Sequence, residues 1–225
     1  MGAFLKAQQS FTVKTKTETD FVADNGQLLR RGARGEVQAR RPNRLHAKIV
    51  SDRKEREFFY DGDTFTIFSP KLGYYSRVEA PPTIGGLADE LETRFGLALP
   101  LVDLFRWGAP HPDFSAITSA KYVGTATIDG TLTDQYAFRQ QGVDWQIWIQ
   151  RGAQPLPRKL VLTTTDDPAR PEHEIEMSWQ LNTRPDDATF AFVPPEGSHL
   201  IAIEELGTPP PARQAMRSGT PSARR

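Results

Sequence analysis

The chain has 225 residues, with 28 Lys+Arg balanced by 28 Asp+Glu and no cysteine. The length suits one β-rich domain with a sizeable core. The charge balance argues against a nucleic-acid binder. The absence of cysteine removes disulfides, thiolate nucleophiles and cysteine-based metal sites. No apolar run approaches the ~20 residues of a transmembrane helix.

The chain starts at Met1-Gly2-Ala3 only a few residues before a strand pattern, which suggests that an export signal has been removed. Phe11-Thr12-Val13-Lys14-Thr15-Lys16-Thr17-Glu18-Thr19 alternates with period two, as a half-buried strand does. Asp24-Asn25-Gly26 marks a turn, and a second strand is expected over 27–40. Pro42 pushes Arg41 into extended geometry and breaks that strand before a third over 44–50. Strands over 58–61 and 64–69 flank Gly62-Asp63, a hairpin signal, and a short strand follows Leu72-Gly73. Together these read as an antiparallel meander.

Residues 81–112 change character. Ile84, Leu87, Leu91 and Phe95 form a helical stripe that Thr83 can cap and Gly96 can end. A second, short helix is expected within 99–107, with Leu101, Leu104 and Phe105 on one side. Strands return over 120–129, 131–140, 144–150, 158–165 and 172–181, and a last short one over 200–204. One face of each strand is apolar: Val143, Trp145, Ile147 and Ile149 in one, and Ile175, Met177, Trp179 and Leu181 in another. Such a sheet is not covered by helices on both faces; it must curl or be capped on one side. Residues 1–206 therefore read as a single domain, and 207–225, rich in Pro, Arg and Ser, as a disordered tail.

Three signals in order carry a resemblance. They are Gly35-Glu36-Val37-Gln38-Ala39-Arg40-Arg41-Pro42-Asn43-Arg44, then Phe58-Phe59-Tyr60-Asp61-Gly62-Asp63, then Phe190-Ala191-Phe192-Val193-Pro194-Pro195-Glu196-Gly197. The chain resembles a predicted periplasmic bacterial domain of unknown function grouped with the outer-membrane lipoprotein carriers (the LolA/LolB-like superfamily). The resemblance implies a mainly β (α+β) fold, a strongly curved antiparallel half-barrel with a helical lid, whose concave apolar face receives acyl chains. It also implies a periplasmic location. In those carriers the arginine of the Arg-Pro motif ties the lid closed through hydrogen bonds to lid backbone, and Arg41 occupies that place. Arg40 and Arg44 stand beside it, and a solvated cluster at a strand end is the alternative.

The expected function is a periplasmic binding protein or carrier for a lipid, acyl chain or other amphiphile. The alternative is an interaction or sensory module that binds a protein segment, with a lipoprotein or periplasmic protein as partner. A hydrolase with an unrecognised site is the remaining reading. Trp145, Ile147, Met177 and Trp179, with Leu101, Leu104 and Phe105 from the lid, are the expected cavity lining; packing into an ordinary core is their alternative.

No catalytic group, metal site or cofactor is expected. The four histidines, His46, His111, His173 and His199, are scattered, and Glu172-His173-Glu174 puts its histidine on the opposite strand face from both carboxylates. Asp61-Gly62-Asp63 reads as turn chemistry rather than paired carboxylates. Gly85-Gly86 lacks the Lys-Ser/Thr of a phosphate loop, Ser115 and Ser119 lack a nucleophile-elbow context, and His111 has no nameable partner.

Overall fold

The computed structural model describes residues 1–108, 114–204 and 206. Three α-helices and twelve strands are found among them. The strands are β1 (Ser10–Val22), β2 (Leu28–Arg40), β3 (Arg44–Ser51), β4 (Glu55–Tyr60), β5 (Thr64–Ser69), β6 (Tyr74–Glu79), β7 (Ile117–Ile128), β8 (Thr131–Gln140), β9 (Val143–Gln150), β10 (Pro157–Thr164), β11 (Glu172–Leu181) and β12 (His199–Leu200). They form one open, curved sheet in the order β12-β6-β5-β4-β3-β2-β1-β11-β10-β9-β8-β7. Two meanders thus meet along β1 and β11, where Phe11 faces Leu181 and Thr19 faces His173. The expected tail over 207–225 and His111 lie outside the described residues.

Register puts the apolar positions of neighbouring strands on one face. Val13 is opposite Val37 in β2 and Trp179 in β11, and Val37 is opposite Ala47 in β3. Helix α2 (Ile84–Phe95) packs on this concave face through Ile84, Leu87, Ala88, Leu91 and Phe95, in one core with Val13, Val37, Ala47 and Phe58. Its ends follow the expected chemistry. Thr83 Oγ1 accepts from Gly86 N at 3.0 Å, and Gly96 closes the helix with φ +62. Only Asp103–Arg106 of the second expected helix is helical; it is α3.

The amino terminus adds an element that the sequence did not announce. Met1-Gly2-Ala3 enters helix α1 (Gly2–Ala7), and the expected strand follows from Ser10. Six residues are too few for a helix to stand alone. This one is held by Leu5, which is fully buried in the core, and by backbone contact with the end of the α3 segment. A Cβ on Gly2 would come within 2.7 Å of Gly108 N, so the two chains approach as only glycine allows.

The convex face departs from a purely polar exterior. Phe192 lies against Phe59, Phe68 and Tyr75, with ring centroids 5.1–5.2 Å apart. Arg77 Nη2 donates to the Phe192 carbonyl at 3.2 Å. The last strand is shorter than expected, and β12 pairs with β6 in parallel rather than antiparallel. The Pro194-Pro195-Glu196-Gly197 stretch turns between these contacts, with Gly197 at φ +76.

Candidate ligand furrow

The core packs beneath α1 and α2 and continues under the segment 99–107, where Leu99, Leu104, Ile175 and Met177 belong to it. This segment leaves space on either side of Leu101. An inner chamber of about 190 Å³ lies between this segment and β10–β11, walled by Leu104, Trp107, Leu160, Leu162, Ile175 and Met177. An outer chamber of about 300 Å³ lies over β11, β1, β2 and β3, floored by Thr15, Thr17, Thr19, Gly35, Val37 and Ile49. Leu101, His173 and Ile175 border both. The two chambers cross five neighbouring strands, about 19 Å at the usual strand spacing. Both are lined mainly by apolar surface with a few polar groups, the character of small-molecule sites.

Leu101 is unusual in its backbone as well as its place. Val102 N donates to Leu99 O at 3.2 Å, closing a four-residue turn with Pro100 second and Leu101 third. Leu101 has φ +54. Glycine or asparagine normally takes this turn position. A residue with a Cβ gives up about 1–2 kcal/mol there.

The expected lining residues divide. Leu101, Leu104 and Met177 border the chambers, Leu104 and Met177 as buried members of the core itself. Phe105 and Trp179 instead pack on Phe11, with ring centroids 5.8 and 5.4 Å away, and Trp179 Nε1 donates to Pro157 O at 2.8 Å. Ile147 is buried in the core. Trp145 stacks on Phe138 at 4.1 Å, on β9 beside the inner chamber's β10. Sequence reasoning missed Thr15, Thr17 and Thr19 as floor. The available signal was that they continue the inward face of Phe11 and Val13 with small hydroxyl side chains where a closed core would carry large apolar ones.

The Arg41-Pro42 corner fastens two of the helices. Arg41 Nε donates to Gln8 O at 3.2 Å, at the exit of α1, and its guanidinium carbon lies 5.3 Å from the Phe105 ring centre in α3. Pro42 O accepts from Ile84 N at 3.0 Å, at the start of α2. Burial lowers the pKa of Arg41, and its Nη2 is buried without a hydrogen-bond partner. Arg40 is engaged elsewhere, by Asp187 and the Pro185 carbonyl. Arg44 Nη1 donates to Asn43 O at 3.2 Å.

His173 joins the furrow from β11. Its Nδ1 lies 2.7 Å from Thr19 Oγ1, and burial lowers its pKa. The carboxylates of Glu172 and Glu174 project to the other face, and Glu174 pairs with Lys159. Among the described residues no group of three or more His, Asp or Glu is placed to hold a metal ion. Asp61 uses its carboxylate on the hairpin, accepting from Asp63 N and Thr64 N at 3.1 and 2.8 Å.

A family described as "Predicted periplasmic protein (DUF2092)" matches residues 1–204. The chain belongs to this family. DUF2092 proteins are periplasmic, and no helix among the described residues is long and apolar enough to cross a membrane. An uncharacterized conserved protein from Thermus thermophilus superposes with a TM-score of 0.51 at 7% identity, over 89% of this chain and 94% of that one. The two share a fold, which by itself fixes no function. The lipoprotein LppX of Mycobacterium tuberculosis gives a TM-score of 0.47 at 16% identity, over 81% and 92% of the two chains. The LolA superfamily protein NE2245 of Nitrosomonas europaea gives 0.41 at 12%, over 85% and 94%. No curated protein matches this chain.

Proposed function

We propose that this DUF2092 protein is a periplasmic binding protein or carrier that holds an amphiphile by its acyl chain in the furrow beneath residues 99–107. The observation that carries the reading is the pair of apolar chambers that meet at Leu101 on the concave face, beside the packed core. Binding would be driven by removing the chain from water, about 0.8 kcal/mol for each methylene buried. Arg41 would act as the clasp. It holds α1 and touches α3 without entering the chambers, so its bonds can set how readily the segment above the furrow opens.

Native mass spectrometry of freshly purified protein, followed by solvent extraction, tests this reading. A stoichiometric lipid or fatty acyl compound is the expected result. A bare polypeptide mass, with no uptake from added amphiphiles, would overturn it. That result would favour a protein segment as the occupant, for which the edge of β7, unpaired among the described residues and with Tyr122 and Val123 exposed, offers main-chain pairing.

A further inference from the structure

The two chambers differ in chemistry. Leu, Val, Ile, Met and Trp side chains wall the inner one, and its acid is Asp103. The outer one brings the hydroxyls of Thr15, Thr17 and Thr19 together with Arg34 and with His173, which borders both. Directly across the β1–β2 ladder from Thr19 stands Arg31, on the same concave face. Its guanidinium carbon lies 3.6 Å from the Phe21 ring centre, and it has no carboxylate partner among the described residues. A guanidinium held over a ring face by its carbon still has N–H donors to offer an anion. The cation at the Thr19 end gives the furrow a direction: an anionic group is attracted there, while the inner chamber offers it apolar walls and a carboxyl, Asp103, that burial pushes toward its neutral form.

Leu101 stands between the ends. A short chain fills the outer chamber and gains nothing from the inner one. A long chain that reaches the inner chamber passes Leu101, whose left-handed backbone makes this turn the least favourable part of the segment to keep as it is. Each methylene beyond the partition then adds burial, about fourfold in affinity.

We propose that the furrow takes a single-chain amphiphile with an anionic head. The head lies at Arg31 and the Thr19–His173 pair, the tail passes beneath Leu101 into the inner chamber, and Leu101 is the partition that selects long chains. The proposal rests on the carrier reading above and adds the ligand's head chemistry, its orientation and the residue that sets its length.

Calorimetric titration of the full chain with octanoate, palmitate, methyl palmitate and palmitoyl lysophosphatidate tests it. Palmitate and the lysophosphatidate bind at least about tenfold more tightly than methyl palmitate, as a charge-assisted contact requires, and octanoate binds weakly. The tighter of the two acids tells whether the natural head is a carboxylate or a phosphate. Arg31→Gln, an exposed substitution, abolishes the preference for acid over ester and leaves methyl palmitate unchanged. Leu101→Gly, which suits φ +54, raises the ratio of palmitate to octanoate affinity several-fold. Equal affinity for palmitate and its methyl ester, or an acid preference that survives Arg31→Gln, overturns the head assignment. An unaltered length dependence in Leu101→Gly overturns the partition. In all these cases ligand still binds and the carrier reading stands; if even methyl palmitate fails to bind, the carrier reading falls first and takes the proposal with it.

Discussion

Arg41 reaches back to the exit of the first helix, where its Nε donates to the carbonyl of Gln8 at 3.2 Å and its own backbone N donates to Gln9 O at 2.8 Å. The side-chain bond is charge-assisted, worth about 1.5–3 kcal/mol. The same guanidinium carries a desolvation cost, because one of its nitrogens is buried without a partner. Arg41→Leu removes both terms, so stability should change little while the helices above the furrow loosen. The expected outcome is an amphiphile exchange rate raised about tenfold, measured by stopped-flow transfer to acceptor vesicles, with a near-constant unfolding midpoint. An unchanged exchange rate would remove the clasp from the account of the furrow.

Gly108 tests how α1 is held. It sits at φ +82, and a Cβ there would overlap the carbonyl of Gly2. Strain and overlap together predict a loss of about 3 kcal/mol for Gly108→Ala. Gly197 has a similar φ of +76 but nothing within 4 Å of a built Cβ, so Gly197→Ala should cost only about 1 kcal/mol. Urea titrations of the two variants compare them directly. Equal losses would mean that the contact between α1 and the α3 segment contributes nothing.

The convex aromatic cover separates stability from binding. Phe190 is fully buried, and Phe192 is half-buried against Phe59, Phe68 and Tyr75. Truncating a buried phenylalanine costs about 3–5 kcal/mol, and less where the ring is partly exposed. Phe190→Ala should therefore lose about 4 kcal/mol and Phe192→Ala about 2 kcal/mol. Because this cover lies across the sheet from the furrow, Phe192→Ala should leave amphiphile affinity intact under conditions where the variant is folded. A changed affinity would show that the exit segment communicates with the concave face.

Local chemistry made most of the sheet legible before any coordinates. Period-two patterning and glycine-marked turns located the strands, because antiparallel neighbours bury one face each and need tight connections. The second helix was equally plain, since Thr83 and Gly96 mark its ends by side-chain capping and left-handed backbone. The first helix was not. Its six residues have no local reason to be helical, and only the distant contacts of Leu5 and Gly108 hold them. The candidate site was legible only in part. Leu101, Leu104 and Met177 are apolar and inward, as are Phe105, Trp179 and Ile147, and pattern alone does not tell a chamber wall from a packed core. The difference arises where Thr15 and Thr17 replace large side chains and where residues 99–107 cross the strands, a tertiary relationship with no local signal.

The pH dependence of stability follows from His173 and His46. An unfolded histidine titrates near 6.5, and burial holds both side chains below that value in the fold. For His46 the burial outweighs the opposing attraction of Glu57. Between the folded and unfolded values the unfolded chain binds more protons, so stability rises with pH in that window. The contribution is complete above pH 6.5 and is lost as the pH falls below it. The lowered carboxylates, such as Asp20 with its Arg30 partner, have ordinary values near 3.8 and act only at more acid pH. Urea midpoints should therefore decline from pH 7 to pH 5, and His173→Gln should flatten the decline by removing one of its two sources. Amphiphile affinity should follow a different course. A protonated His173 would add a cation beside Thr19, so palmitoyl lysophosphatidate, which stays anionic on the acid side of 6.5, should bind more tightly as the pH falls through the range where the free protein grows less stable, and methyl palmitate should show no such gain. Lysophosphatidate affinity that falls with stability would place the head away from His173.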